Sequence, residues 1–222
     1  MSAVKQSWSG TSLLTLLCLF FVLFTSYFTY FHNFQYPQAF YWDENYHVAS
    51  AQKYLNGVFF MEQHPPLGKL LIAAGEALFD FSGNDHQFIG TDYAKGDFTD
   101  GFSITGYRFF PALLAWLTAP VLFFIFLIIA GSPILAALLS FLYIFDNALI
   151  VQNRGAMLEG SLIFFMTLTL LLFLILWQKK RSIRTEIIIS LFFGIAFACA
   201  MTTKVTGDIL VLLIPALIIH LW

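Results

Sequence analysis

Two adjacent carboxylates, Asp43 and Glu44, follow two aromatics, Tyr41 and Trp42, and precede the run His64-Pro65-Pro66. A carboxylate held beside a hydroxyl can take its proton and turn a poor nucleophile into a useful one. Asp43 also suits the first position of a helix, where its oxygen would accept hydrogen bonds from free backbone N–H groups. Neighbouring helical side chains diverge by about 100°, so the two acids need not share one task. The prolines bias His64 towards an extended backbone and stiffen the corner that follows it. Three cations, Arg108, Arg154 and Lys204, fit a phosphate chemically, the arginines as forks and the lysine as a point charge. Each reads equally well as a snorkelling end residue, and Arg154 could instead pair with Glu159. His47, His64 and Glu44 lack the spacing of a metal site, so no metal and no cofactor is expected. Cys18 and Cys199 sit in apolar runs and read as small buried hydrophobes.

The elements that must position these groups are membrane elements. Hydrophobic residues make up 59% of the 222 positions and charged residues 11%, against about 25% charged in a soluble domain. Leu13 to Phe31 is an apolar run of 19 residues. It exceeds the roughly 7–15 residues of a secretory h-region, and no small-x-small cleavage site follows it. Apolar runs predict about six transmembrane helices, over about 13–31, 107–130, 134–151, 161–177, 187–202 and 209–222, with a long outer loop over 32–106. The last run is still apolar at Trp222, so the remainder of a longer membrane domain is expected beyond it. Lys179, Lys180, Arg181 and Arg184 place the loop after the fourth segment in the cytoplasm. Counting back puts the N-terminus with Lys5 inside and the loop over 32–106 outside, on the side shared by Asp43, Arg154 and Lys204. That loop carries nine acids against Lys53, Lys69 and Lys95. Within it, Val48, Ala51, Leu55 and Val58 form a helical stripe opposite Asp43, His47, Ser50 and Tyr54, predicting an interfacial helix that Gly57 ends. A second helix is expected from Pro66 to about Phe79, with Leu67, Leu70, Leu71, Ala74 and Leu78 as its apolar face. Asp146 and Asn147 fall inside the third segment, a costly depth that predicts a partner within the bundle.

Asp43-Glu44, then His64-Pro65-Pro66-Leu67-Gly68-Lys69-Leu70-Leu71-Ile72, resembles the first loop of the protein O-mannosyltransferase family. Tyr107-Arg108-Phe109-Phe110-Pro111-Ala112-Leu113, the run Phe145-Asp146-Asn147-Ala148-Leu149-Ile150-Val151-Gln152-Asn153-Arg154 and Lys204-Val205-Thr206-Gly207 continue the likeness. The resemblance implies an all-α polytopic membrane protein of the GT-C glycosyltransferase type. It implies transfer of mannose from a polyprenyl (dolichyl) monophosphate to Ser or Thr hydroxyls of proteins, with inversion and without an essential metal. By position, Asp43 is similar to the catalytic aspartate and Glu44 to its acidic neighbour. Arg108 and Lys204 resemble the site residues near the carrier phosphate, with His64 in the loop motif and Arg154 beside them. The partners implied are a lipid-linked donor, a peptide acceptor and the bilayer, with dimerisation possible and no nucleic acid. The setting is an endoplasmic reticulum or bacterial inner membrane, with the site on the luminal or periplasmic side. A related reading keeps the fold and moves the sugar to a lipid or polysaccharide, as in aminoarabinose transferases. A transporter or scaffold is the non-enzymatic alternative, against which stands the placement of most charge at the outer rim.

Overall fold

The computed structural model describes residues 13–178 and 181–221. Lys5, Lys179 and Lys180, on which the orientation rests in part, lie outside the described residues. Every regular element described is helical. Helix α1 is Leu13–Ser26, extended by a π-helical turn over Tyr27–Phe31; α2 is Glu44–Leu55 and α3 is Leu67–Phe79. Then come α4 (Thr105–Ala130), α5 (Pro133–Ile144), α6 (Asn147–Arg154), α7 (Glu159–Gln178) and α8 (Ile183–Thr203). A 3-10 stretch over Val205–Leu212 leads into α9, Leu213–Leu221.

Four helical spans are long and apolar enough to cross a membrane: Leu13–Phe31, Thr105–Ala130, Glu159–Gln178 and Ile183–Thr203. The expected third span is instead two helices, α5 and α6, bent by 65°. Asp146 causes the break. Its side chain accepts a hydrogen bond from Leu149 N at 2.9 Å and caps α6. Asp146 and Asn147 are exposed at this corner, so the partner expected for them inside the bundle is replaced by a backbone cap. The expected sixth span is also interrupted. Thr206, Gly207 and Asp208 are weak helix formers, and the chain there takes the tighter 3-10 form. The count of six spans thus becomes four, or five if the bent pair crosses as one.

Helix α4 is the central post, packing against α1, α3, α5, α6 and α7. Small residues make this possible: Ala112, Ala115 and Ala119 are fully buried along it, as close helix approach in lipid requires. Polar side chains then tie the helices together. Tyr30 Oη donates to Tyr143 O at 2.6 Å, Tyr143 Oη to Ala115 O at 2.8 Å, and Trp116 Nε1 to Leu23 O at 3.0 Å. The large apolar residues of α1, among them Phe20 and Phe24, remain on the outside.

Helix α3 does not bury its expected face, of which Leu67, Leu71 and Ala74 are half-buried. Leu70 and Leu78 are exposed, while Gly68, Lys69, Ile72, Ala73, Gly75 and Glu76 are buried. The small residues Gly68, Ala73 and Gly75 make the helix contact. A Cβ on Gly75 would lie 2.2 Å from the carbonyl oxygen of Gly106, so α3 and α4 meet backbone to backbone there.

Helix α2 begins at Glu44 and ends before Gly57, whose φ of +64° closes it as expected. It does not lie open at an interface. The irregular chain over 80–104 is hydrogen-bonded across it: Gln52 Oε1 accepts from Phe88 N at 2.7 Å, Asn45 Nδ2 donates to Ala94 O at 2.5 Å, and Lys53 pairs with Asp92. Val48, Ala51, Ile72, Ile104, Tyr107 and Leu158 form the apolar core beneath this cover.

Candidate active site

Glu44, the first residue of α2, and Arg108, in the first turn of α4, are both 0% exposed. The pair is a fork on a carboxylate. Arg108 Nε reaches Glu44 Oε1 at 2.6 Å and Nη2 reaches Oε2 at 2.7 Å. Glu44 also accepts from Ala156 N at 2.7 Å and Tyr41 N at 3.2 Å. The rest of the guanidinium is equally committed. Nη1 donates to Gln35 O (2.9 Å) and Pro37 O (2.6 Å), and Nη2 donates to Ala39 O (2.9 Å). Arginine has five N–H donors, and each has a protein acceptor here.

Every donor of Arg108, expected near the carrier phosphate, is taken up within the protein, and both oxygens of Glu44, expected as the acidic neighbour of Asp43, are bonded. Together Glu44 and Arg108 fasten the strap over 35–43 to α2, α4 and the turn between α6 and α7. The Tyr41 ring covers the Arg108 guanidinium at 5.1 Å. Burial pushes the Tyr41 hydroxyl up to about 12, so it stays a donor, to Val151 O at 3.0 Å. A side chain at Gly155 would crowd this corner, since a Cβ would fall 2.7 Å from Tyr41 Oη and 3.0 Å from Glu44 Oε1.

The strap ends in strain. Trp42 has φ +54° and is 70% exposed, a conformation that costs a bulky residue on the order of 1–3 kcal/mol. It turns the chain so that Glu44 points inward while Asp43 stays at the surface. Asp43 occupies the N-cap position of α2 yet makes no side-chain cap bond. Its carboxylate has no hydrogen-bond or ion-pair partner among the described residues.

Asp43 lines a cavity of about 390 Å³ together with His47, Ser50, Glu62, His64 and Lys69. Asp43, His47 and Ser50 are the polar stripe of α2, at i, i+4 and i+7. Lys69 comes from α3, is 3% exposed, pairs with Glu62 and donates to Ser50 Oγ at 3.2 Å. Burial pushes the Glu62 carboxyl up, but the Lys69 ammonium and the His64 and Gln63 N–H groups together outweigh it, and the group lies below its usual range. His47 is lowered to about 4, chiefly by burial and then by the charge of Lys69. It is therefore neutral near pH 7, and its Nδ1 is buried without a partner. Lys69 and Glu62 are site residues that motif reasoning passed over. The available signal was a lone lysine in the apolar helix α3.

Arg154, Glu159 and Lys204 do not line this cavity, although Glu159 acts electrostatically on His47 at its wall. Arg154 does not pair with Glu159; it donates to His32 O at 2.8 Å, Asn33 O at 2.7 Å and Thr29 O at 3.4 Å, capping the end of the first span. Glu159 pairs with Lys204 at 2.7 Å, both partly exposed. Cys18 and Cys199 are free. Among the described residues, one group of three carboxylates lies close enough to share a metal ion: Glu76, Asp80 and Asp85. It is separate from the cavity that holds Asp43.

The family model of dolichyl-phosphate-mannose-protein mannosyltransferase matches residues 19–222. Protein O-mannosyltransferase 1 of Drosophila pseudoobscura is 31% identical over 196 residues, covering 87% of this chain and 21% of the relative. Dolichyl-phosphate-mannose--protein mannosyltransferase 4 of Schizosaccharomyces pombe is 31% identical over 202 residues, covering 85% and 24%. A solved structure, the S. cerevisiae protein O-mannosyltransferase Pmt1-Pmt2 complex bound to the sugar donor, superposes with a TM-score of 0.79 at 22% identity. It matches over 90% of this chain and 27% of that one. That likeness shows the fold, a GT-C transmembrane bundle. The chain spans about a fifth to a quarter of the length of these relatives.

Proposed function

Because the chain belongs to the dolichyl-phosphate-mannose-protein mannosyltransferase family, we propose that it carries the catalytic loop of an enzyme moving mannose from a polyprenyl monophosphate to Ser or Thr hydroxyls of proteins. Asp43 is the general base. The observation that carries this reading is the contrast between two adjacent acids: Glu44 is fully committed to Arg108, while Asp43 faces the cavity with a free carboxylate. The acceptor hydroxyl approaches from the aqueous side and gives its proton to Asp43 as its oxygen attacks the anomeric carbon. The bond to the lipid phosphate breaks on the opposite face, which inverts the anomeric centre. Charge then builds on the phosphate and calls for a cation.

With Arg108 saturated, the cation sharing the cavity with Asp43 is Lys69, and Lys204 is the partly exposed one nearest the end of α8. Lys69 and Lys204 are the proposed phosphate contacts. His64 lines the acceptor side, and Arg154 positions the first span. The cavity opens on the luminal or periplasmic face, and the N-terminus is cytoplasmic. The solved neighbour is a two-protein complex, and assembly with a second chain belongs to the same proposal.

The test is Asp43→Asn in the membrane-inserted protein, assayed with a polyprenyl-phosphate mannose donor and separate peptide and glycolipid acceptors. Loss of peptide transfer with normal insertion is expected. Turnover like that of the unaltered protein would refute the base assignment, and transfer only to the glycolipid would refute the protein acceptor.

A further inference from the structure

We propose that Glu76, Asp80 and Asp85 bind a divalent cation of the Ca2+ type, which closes the C-terminal end of α3 onto the loop that follows. One oxygen from each carboxylate lies within 4.8 Å of the other two. Ligands at about 2.3–2.6 Å from Ca2+ stand up to roughly 5 Å apart across the ion, so the three oxygens lie within the span of one such coordination sphere.

Glu76 supplies the independent observation. It is 1% exposed; one oxygen accepts from Ser82 N at 2.6 Å, and the other, Oε2, is buried without any hydrogen-bond partner. A buried carboxylate oxygen left bare is costly, and a cation would complete it.

The electrostatics point the same way. Glu76 lies in the last turn of α3 and Asp80 is its C-cap. This is the helix end where the dipole is negative and acids are disfavoured. No basic residue occupies that turn. The four ion pairs among the described residues join Lys53, Lys69, Arg108 and Lys204 to other acids. Three carboxylates thus converge without a protein counter-charge. Asp85 is already oriented, accepting from Tyr107 Oη at 2.5 Å. Asp80 is exposed, leaving a side open for water ligands. The site lies outside the membrane spans and away from Asp43, so its role is to order the loop rather than to take part in transfer.

The test uses the intact membrane protein stripped with a chelator and titrated with Ca2+, with thermal unfolding as the readout. A saturable rise of roughly 2–4 °C is expected, with its midpoint at about 0.1–1 mM as in exposed modules. Tb3+ should bind in the same place and luminesce through Tyr107, and Ca2+ should displace it. Asp80→Asn keeps a residue that tolerates the left-handed cap and removes one ligand charge; it should raise the midpoint about 10-fold or more. Glu76→Gln should abolish the response, and Asp80→Asn carries the test if that variant folds poorly. An unchanged unfolding temperature in Ca2+ would overturn the proposal. So would a response in Asp80→Asn equal to the unaltered protein, or stabilisation by acid alone, which would make the cluster a proton site.

Discussion

Replacing Arg108 separates a scaffold from a phosphate clamp. Arg108→Gln removes a buried guanidinium that serves Glu44 and the carbonyls of Gln35, Pro37 and Ala39. Breaking a buried ion pair by deleting one partner costs about 3–5 kcal/mol, because the other charge stays buried and unpaired. Both members are 0% exposed, so solvent screening does not reduce that figure. Glu44→Gln should cost a similar amount, since it strands the arginine. The double variant leaves two neutral amides, and its loss should fall short of the sum of the singles by about 2 kcal/mol or more. Native stability is on the order of 5–15 kcal/mol, so each single change removes a large share of it. Thermal unfolding in detergent should fall by roughly 6–20 °C at about 2–4 °C per kcal/mol. The donor KM of the surviving folded fraction should be nearly unchanged. An Arg108→Gln protein that unfolds at the normal temperature, yet needs far more donor, would refute the scaffold assignment and return Arg108 to the phosphate.

Three further outcomes follow from the same geometry. His47 has a folded pKa near 4 against an ordinary 6.5, so its neutral form stabilises the fold fully above about pH 6.5. That contribution, about 3 kcal/mol at most, should fade as pH falls from 6.5 towards 4; His47→Gln should show a shallower loss in unfolding scans over that window, and an identical slope would sink the assignment. Gly155→Ala places a methyl 2.7 Å from Tyr41 Oη and should cost about 1–3 kcal/mol by overpacking, measured as a lower unfolding temperature; a neutral result would show that the strap yields easily. Trp42→Gly relieves a positive φ at a side chain that is 70% exposed, so stability should hold or rise by up to about 1 kcal/mol, and a marked loss in the same scan would mean that the indole packs on something essential.

Much of the loop's local order was legible from periodicity. The bounds of α2 and α3 and the stripe Asp43, His47, Ser50 follow from residues within two turns of one another. What was not legible lies in pairings made across the chain. Glu44 and Arg108 are 64 positions apart, and Lys204 reaches Glu159 over 45. Local spacing suggested an Arg154–Glu159 pair, and the fold separates them by giving Arg154 the free carbonyls of the first span. The face of α3 misled for a different reason. An apolar stripe reads as the buried side, but α3 meets its neighbours through the small residues Gly68, Ala73 and Gly75, which let backbones approach closely. The break at Asp146 was hidden because an apolar run advertises a span, whereas one capping carboxylate can end it.

The placement of Glu44 also bears on the order in which the protein is made. A chain synthesised from its N-terminus exposes Glu44 long before its partners exist. Arg108 arrives 64 residues later, and the Ala156 N–H arrives 112 residues later. Until then the carboxylate keeps its water, and the strap over 35–43 has nothing to fasten to. The loop bearing Asp43 can therefore lock only after α4 has been inserted and the turn leading into α7 has been delivered to the same side. A chain with either segment threaded the wrong way leaves a charged acid that no neighbour can neutralise.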